Sequence, residues 1–240
     1  MSIHEGHRQR LKERFRKEGL DHFDDLYVLE LLLFYCMPRR DTNPIAHDLK
    51  AKFGSLAGVL DATPKELQSV PNVGPSVVEF FTLLKSVWRK YSVQKADLDI
   101  PLQTITQCGE YIKPHFIDRS QETVILLCLD AKCKAISCTV VGEGSVNSAS
   151  ISVRKIVETA LNNGASSVVL AHNHPSGLAL PSAEDVQTTY RVAAALKAVE
   201  IQLVDHIIVA DEDYISLTQS GYQFQDFGPE DLIQGTFGAV

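Results

Sequence analysis

An apolar run that ends in two histidines and a proline limits how the centre of this chain can fold. The run ASSVVLAHNH, residues 165–174, is typical of a short strand, and Pro175 ends it because proline has no N–H for a sheet. Residues two apart on a strand face the same side. His172 and His174 therefore project together while Asn173 faces the other way, which predicts a pair of imidazole ligands for a first-row metal ion.

The segments around this run alternate between strand and helix patterns. Upstream, two β-rich runs separated by a short AKC turn predict a hairpin. Downstream, a helical pattern is followed by a further apolar strand. The predicted strands cover residues 122–130, 134–141, 165–174 and 201–210, and the predicted helices cover 153–164 and 181–200. This alternation predicts an α/β or α+β domain.

The N-terminal part has a different residue pattern. From residue 4 to about residue 92 the pattern predicts helices, with glycine and proline at their ends. A polar, proline-containing stretch follows. We therefore expect a helical domain at 1–92, a linker at 93–104 and an α/β domain at 105–240.

The charge of the chain is divided unevenly between these parts. The net charge is −7, yet residues 1–95 carry 15 Lys and Arg against 12 Asp and Glu, a balance of +3. The rest carries 8 basic and 18 acidic residues, a balance of −10. This asymmetry indicates two modules with different partners. The N-terminus has no apolar signal region, and no apolar run approaches the roughly 18 residues of a spanning helix, so we expect a cytoplasmic protein without a membrane partner.

An aspartate downstream of the histidines completes a candidate metal site. Asp185 lies eleven positions after His174, and two histidines with one aspartate are enough to hold zinc and leave a fourth position for water. The segment SAED has a second interpretation, a capping box with Ser182 as N-cap and Asp185 three residues on. The two interpretations are compatible for Ser182 but compete for Asp185.

The letters HNHPSG followed by PSAED resemble the JAMM (MPN-plus) metalloprotease motif, and the chain is similar to the RadC family in particular. The similarity covers roughly residues 100–220, and LELLLFY, FGSLAGVLDA and VPNVGPSVV extend it upstream. The resemblance implies a JAMM/MPN-like, cytidine-deaminase-like C-terminal domain preceded by an all-α helix-hairpin-helix domain.

The resemblance also implies roles for single residues. His172, His174 and Asp185 would bind one zinc ion per chain, and Ser182 would donate to the oxyanion of a tetrahedral intermediate. The motif requires an upstream glutamate as general base, for which Glu122 is the better match and Glu143 the alternative. The implied chemistry is hydrolysis of a peptide or isopeptide bond in an unidentified protein or peptide, linked by family to DNA repair.

The segment LQSVPNVGPSVVEFF resembles a helix-hairpin-helix with a tight turn at residues 70–74. Gly74 is predicted to take the positive φ of this turn, where backbone N–H groups suit a DNA phosphate. The predicted sequence-nonspecific DNA contacts are Val73, Gly74, Lys85, Arg89 and Lys90. A turn that simply joins two packed helices is the other interpretation. The alternative functions are therefore a metal-dependent nuclease and a DNA-binding repair accessory.

One further pair lies on the last predicted strand. Asp205 and His206 alternate on that strand, so one of them is placed to orient a metal ligand. A buried polar pair satisfied by backbone groups is the other interpretation.

Overall fold

The computed structural model describes residues 3–96, 101–144, 152–175, 177–211, 213–224 and 227–228. The chain divides into two compact units, Met1–Trp88 and Arg89–Val240. Among the helices that the structure describes, none combines the length and the apolar character needed to cross a membrane.

The N-terminal region is helical, as the sequence predicts. Its helices are α1 (Ile3–Glu18), α2 (Asp25–Cys36), α3 (Asn43–Phe53), α4 (Leu56–Asp61), α5 (Pro64–Gln68) and α6 (Pro75–Ala96). Apolar side chains of α2 to α6 form one core, in which Leu29, Leu33, Leu49 and Phe81 are completely buried. Burial of these side chains is the main stabilising contribution to the unit.

The turn between α5 and α6 differs from its prediction at one residue. The left-handed conformation belongs to Asn72, with φ of 64°, and Gly74 does not take a positive φ, so that prediction is wrong. Asparagine adopts this conformation more readily than other residues with a Cβ because its short polar side chain can hydrogen-bond locally. The turn therefore needs no left-handed glycine.

The second unit is a mixed α/β structure, which confirms the predicted class. Its elements are α7 (Ile105–Ile112), a 3₁₀ turn (Lys113–Phe116), β1 (Thr123–Leu129), β2 (Ala135–Glu143), α8 (Val153–Asn162), β3 (Ser167–Asn173), α9 (Ala183–Lys197), β4 (Gln202–Ala210) and β5 (Asp213–Ser216). The five-stranded sheet has the order β2-β1-β3-β4-β5. Only the β3–β4 pair is parallel among these neighbours.

The central strand β3 is covered on both faces. Val168 and Leu170 pack into a core with residues of α8 and α9, whereas Val169 and Ala171 pack into a core with residues of α7. Because side chains alternate along a strand, His172 continues the face that α9 covers. The face of the sheet that carries His172 is therefore the face on which Asp185 of α9 lies.

Asp205 connects β4 to β5 and to the turn that follows. Its carboxylate is completely buried. Oδ1 accepts hydrogen bonds from the backbone N–H of His206 (2.8 Å), the backbone N–H of Thr218 (3.1 Å) and the Thr218 hydroxyl (2.7 Å). Oδ2 accepts one from the Ser216 hydroxyl. Asp205 thus holds β5 in place, and none of these four hydrogen bonds involves a candidate metal ligand.

We predict that Asp205→Ala lowers the free energy of unfolding by about 3 kcal/mol, because it leaves buried donors without an acceptor. Urea denaturation of the full chain measures this change. Asp213→Ala is the matched control, since Asp213 is an exposed aspartate at the start of β5. We expect it to change stability by less than about 0.5 kcal/mol, and equal effects of the two substitutions would contradict the role assigned to Asp205.

Candidate metal centre

Four chemically reactive side chains meet at the C-terminal end of β3. They are Glu122, His172, His174 and Asp185, whose potential ligand atoms all lie within 4.8 Å of one another. Glu122 directly precedes β1, His172 is in β3, His174 follows β3, and Asp185 is in the first turn of α9. The fold therefore brings together residues that are up to 63 positions apart in the chain, the separation of Glu122 from Asp185.

The two histidines present the same ring nitrogen to the cluster. The Nε2 atoms of His172 and His174 are 2.9 Å apart. Asp185 Oδ1 lies 3.3 Å from His172 Nε2, and Asp185 Oδ2 lies 3.6 Å from His174 Nε2. Two imidazoles and a carboxylate thus converge on one point, which is the donor set of a three-ligand zinc site.

Asp185 also forms the capping box that the sequence suggests. Its Oδ2 accepts hydrogen bonds from the backbone N–H of Ser182 (2.8 Å) and the Ser182 hydroxyl (2.7 Å). In return, Ser182 Oγ accepts one from the backbone N–H of Asp185 (3.1 Å). The two interpretations of Asp185 are therefore compatible, because Oδ2 completes the cap while Oδ1 faces His172.

The structure separates the two candidate glutamates. Glu122 Oε2 is buried, and no group among the described residues hydrogen-bonds to it. Burial raises the pKa of Glu122, an effect that His174 opposes and Asp185 reinforces. Glu143 lies outside the cluster, where its exposed carboxylate accepts a hydrogen bond from Arg119 Nη1 at 2.6 Å. Glu122 therefore has the free carboxylate oxygen that a proton acceptor in the cluster needs.

Asn173 holds the segment that carries Glu122. Its Oδ1 accepts a hydrogen bond from the backbone N–H of Thr123 (2.7 Å), and its Nδ2 donates to the carbonyls of Arg119 (3.1 Å) and Gln121 (3.3 Å). These partners include the residues on both sides of Glu122. Sequence reasoning placed Asn173 on the opposite face from the histidines but did not identify this role, because its partners are some 50 residues away.

The electrostatics of the cluster favour a bound cation. Burial lowers the pKa of His172 to about 4; the charge of Asp185 opposes this shift, and His174 adds to it. His174 Nδ1 lies 2.9 Å from the carbonyl of Leu178, which only accepts, so Nδ1 carries the proton. In the neutral ring, His174 Nε2 then has a lone pair directed away from that carbonyl. A divalent ion would satisfy this nitrogen.

The predicted DNA contacts do not belong to the cluster. Val73 is buried in the helical core, and its backbone N–H donates to the carbonyl of Val70 at 3.2 Å. Around Gly74, no described atom beyond its chain neighbours lies within 4 Å of the place a Cβ would occupy. On α6, Lys85 and Arg89 are half-buried, Arg89 Nη1 donates to the Ile117 carbonyl at 3.4 Å, and Lys90 is exposed.

Comparison with known proteins places the cluster inside a recognised domain. A family model described as a RadC-like JAB domain matches residues 102–222, a range that contains the whole cluster and Ser182. A UPF0758 protein from Fusobacterium nucleatum is 32% identical to the chain over 226 residues. That alignment covers 90% of this chain and 97% of the relative.

We predict that the purified chain retains about one first-row metal ion, and that His174→Ala and Asp185→Asn both lose it, because each removes a ligand from a three-ligand set. Mass spectrometry of the dialysed protein measures the metal content. Asp185→Asn keeps a side-chain oxygen for the α9 cap, so its metal loss does not follow from helix fraying.

Glu143→Gln and His47→Ala serve as controls, since Glu143 pairs with Arg119 and His47 is exposed. Both should keep the wild-type metal content. Full metal content in both ligand variants, or failure of the wild type to bind supplied metal, would contradict the assignment.

Proposed function

Because the chain belongs to the RadC family and carries its RadC-like JAB domain, we propose that it is a metal-dependent hydrolase, and that zinc is the ion it uses. The observation that supports this proposal is the convergence of Glu122, His172, His174 and Asp185 within 4.8 Å. His172, His174 and Asp185 are the three protein ligands for one ion per chain. When bound, zinc supplies a Lewis acid and lowers the pKa of a water molecule to about 7.

Glu122 is the general base of the proposed reaction. Its buried Oε2 has no partner among the described residues, so this oxygen is available to accept a proton from the attacking water. Burial raises the pKa of Glu122, which brings the carboxyl closer to the working range of a group that first accepts a proton and then donates it. The same carboxyl then protonates the leaving amine.

Ser182 stabilises the oxyanion in this proposal. In the structure its hydroxyl donates to Asp185 Oδ2 at 2.7 Å, so it lies beside a proposed ligand. The hydroxyl must rotate from this carboxylate towards the carbonyl oxygen as negative charge develops there. The backbone half of the capping box, from Ser182 N–H to Asp185 Oδ2, holds the residue in place during that rotation.

The proposed substrate is a peptide or isopeptide amide in a protein or peptide. The JAMM resemblance supports this class, and one glutamate beside one metal position, as found among the described residues, suits attack on a carbonyl. The proposal includes a link to DNA repair or DNA metabolism, and family membership is the only support for that link.

We predict that Glu122→Gln lowers hydrolysis by about 10²- to 10⁴-fold with metal content unchanged, because the amide cannot accept the proton. Ser182→Ala should lower it by about 10²-fold or more through loss of the oxyanion donor. The assay is turnover of a panel of fluorogenic peptide amides and ε-lysyl isopeptides by the zinc-loaded chain.

Thr104→Ala is the matched control for Ser182→Ala. Thr104 and Gln107 form the same reciprocal capping box at the start of α7, so this substitution also costs about 1 kcal/mol of stability. It should leave hydrolysis unchanged. A wild-type rate in Glu122→Gln, or equal losses in Thr104→Ala and Ser182→Ala, would contradict the assigned roles.

We propose sequence-nonspecific DNA binding by the helical N-terminal region, which includes α6, as a second function. The open surroundings of Gly74 and the exposure of Lys90 support it, although the N–H of Val73 is already bonded to the Val70 carbonyl. A metal-dependent nuclease is a less well supported form of this second function. Nucleases commonly use two metal ions, and the described residues offer one cluster suited to hold a metal.

We predict that Lys85→Ala, Lys90→Ala and Arg89→Ala combined weaken binding to a short DNA duplex and flatten its salt dependence. Each lost phosphate contact should reduce the slope of log affinity against log salt by about 0.9. Fluorescence anisotropy at several salt concentrations measures the slope. A control with Lys132, Lys155 and Lys197 changed to alanine removes the same charge and should bind as the wild type does. Equal slopes for both triple variants would overturn DNA binding at this site.

A further inference from the structure

A chain of three buried side chains leads from α9 to the metal centre. Thr189 Oγ1 lies 2.6 Å from His206 Nδ1, and His206 Nε2 lies 2.8 Å from His172 Nδ1. All three side chains are completely buried. The chain therefore reaches His172 from the ring nitrogen opposite to the one that faces His174 and Asp185.

The direction of the hydrogen bonds follows from the first member. Thr189 Oγ1 is 2.6 Å from the backbone carbonyl of Asp185, which only accepts. The hydroxyl has a single hydrogen and donates it to this carbonyl. It must then accept at its contact with His206, so His206 carries a proton on Nδ1.

The remaining protons are placed by the same logic. A neutral imidazole has one ring N–H and one lone pair, and a contact between two ring nitrogens holds one proton. Neutral His206 with its proton on Nδ1 has a lone pair on Nε2, which accepts from His172. His172 then carries its own proton on Nδ1 and has its lone pair on Nε2, the nitrogen 3.3 Å from Asp185 Oδ1.

We propose that Thr189 and His206 are positioning residues that hold His172 in the tautomer with a lone pair on Nε2, the form that ligates a metal ion. This inference rests on the proposed function, because a metal ion at the cluster is what makes that tautomer necessary. The contacts also form a closed circuit: Asp185 meets Thr189 through its carbonyl and His172 through its carboxylate. Two ligands, one on β3 and one on α9, are thereby held at a fixed separation.

The arrangement differs from that of the other histidine ligand. His174 is oriented by the backbone carbonyl of Leu178, an acceptor that no substitution removes. The tautomer of His172 depends on the side chains of Thr189 and His206, so substitution of either residue can change it. A ligand's outer partner commonly affects metal affinity by 10- to 100-fold.

The test compares two substitutions of Thr189 that separate the role of the hydroxyl from that of the side-chain shape. Thr189→Ser keeps the hydroxyl, and Thr189→Val removes it while preserving the shape of the side chain. Thr188→Val is the control, because Thr188 is a neighbouring buried threonine outside the hydrogen-bonded chain described above. His206→Gln and His206→Leu form a second pair, in which only the amide can still accept from His172 Nδ1.

Two measurements are made on each full-length variant after its melting curve confirms folding. Long-range proton–nitrogen NMR of the metal-free chain reports the tautomer of His172, and chelator competition reports zinc affinity. We expect Nδ1–H alone in the wild type, Thr189→Ser and Thr188→Val. Thr189→Val and His206→Leu should show mixed tautomers and a zinc affinity lower by about 10- to 100-fold, with His206→Gln partly rescued.

An Nε2–H tautomer in the wild type would overturn the inference, as would wild-type tautomer and affinity in Thr189→Val. Failure of the proposed function has a different signature. If no amide in the panel is hydrolysed while His172 shows the expected tautomers and zinc affinities, the positioning role is supported and the hydrolase proposal falls.

Discussion

The candidate metal centre depends on the backbone pairing of β3 with a strand on each side. On one side, His172 is paired with Val124 of β1, so Glu122, two residues earlier, extends past the end of the strand pair towards the cluster. On the other side, Leu170 is paired with His206 of β4 in parallel register. Because residues two apart share a face, this register sets His206 diagonally beside His172. A shift of one residue in either pairing would turn Glu122 or His206 to the opposite face.

The parts of the site that local sequence encodes were predictable, and the parts that depend on register were not. The period of two along β3 puts His172 and His174 on one face, and the capping pattern marks the start of α9. The partners of Asn173 and of His172 Nδ1 lie some 50 and 34 residues away. Nothing within a strand specifies such pairs, because they follow from which strands become neighbours.

The choice between the two glutamates shows the same limit. Glu143 is the register partner of Thr123, so both glutamates lie at the same end of the β1–β2 hairpin. What separates them is the ion pair of Glu143 with Arg119 and the buried oxygen of Glu122, which has no hydrogen-bond partner among the described residues. The short strand β5 was missed for a related reason: its four residues carry little periodicity, and the buried carboxylate of Asp205 ties it to β4.

The surrounding contacts make sense as a means of holding ligands that would otherwise separate. The cluster sets two carboxylates beside two ring nitrogens that lie 2.9 Å apart. With the tautomers inferred above, the lone pairs of these nitrogens face each other, an arrangement that is repulsive without a positive charge at its centre. Asn173 fixes the segment of Glu122, Ser182 fixes Asp185, and the chain through His206 fixes His172. Each of these contacts approaches its side chain from outside the cluster and uses atoms that point away from the cluster or, for Asp185, the second carboxylate oxygen. Folding therefore brings the donor atoms together before any ion binds. A site preorganised in this way can bind an ion tightly without rearranging the chain.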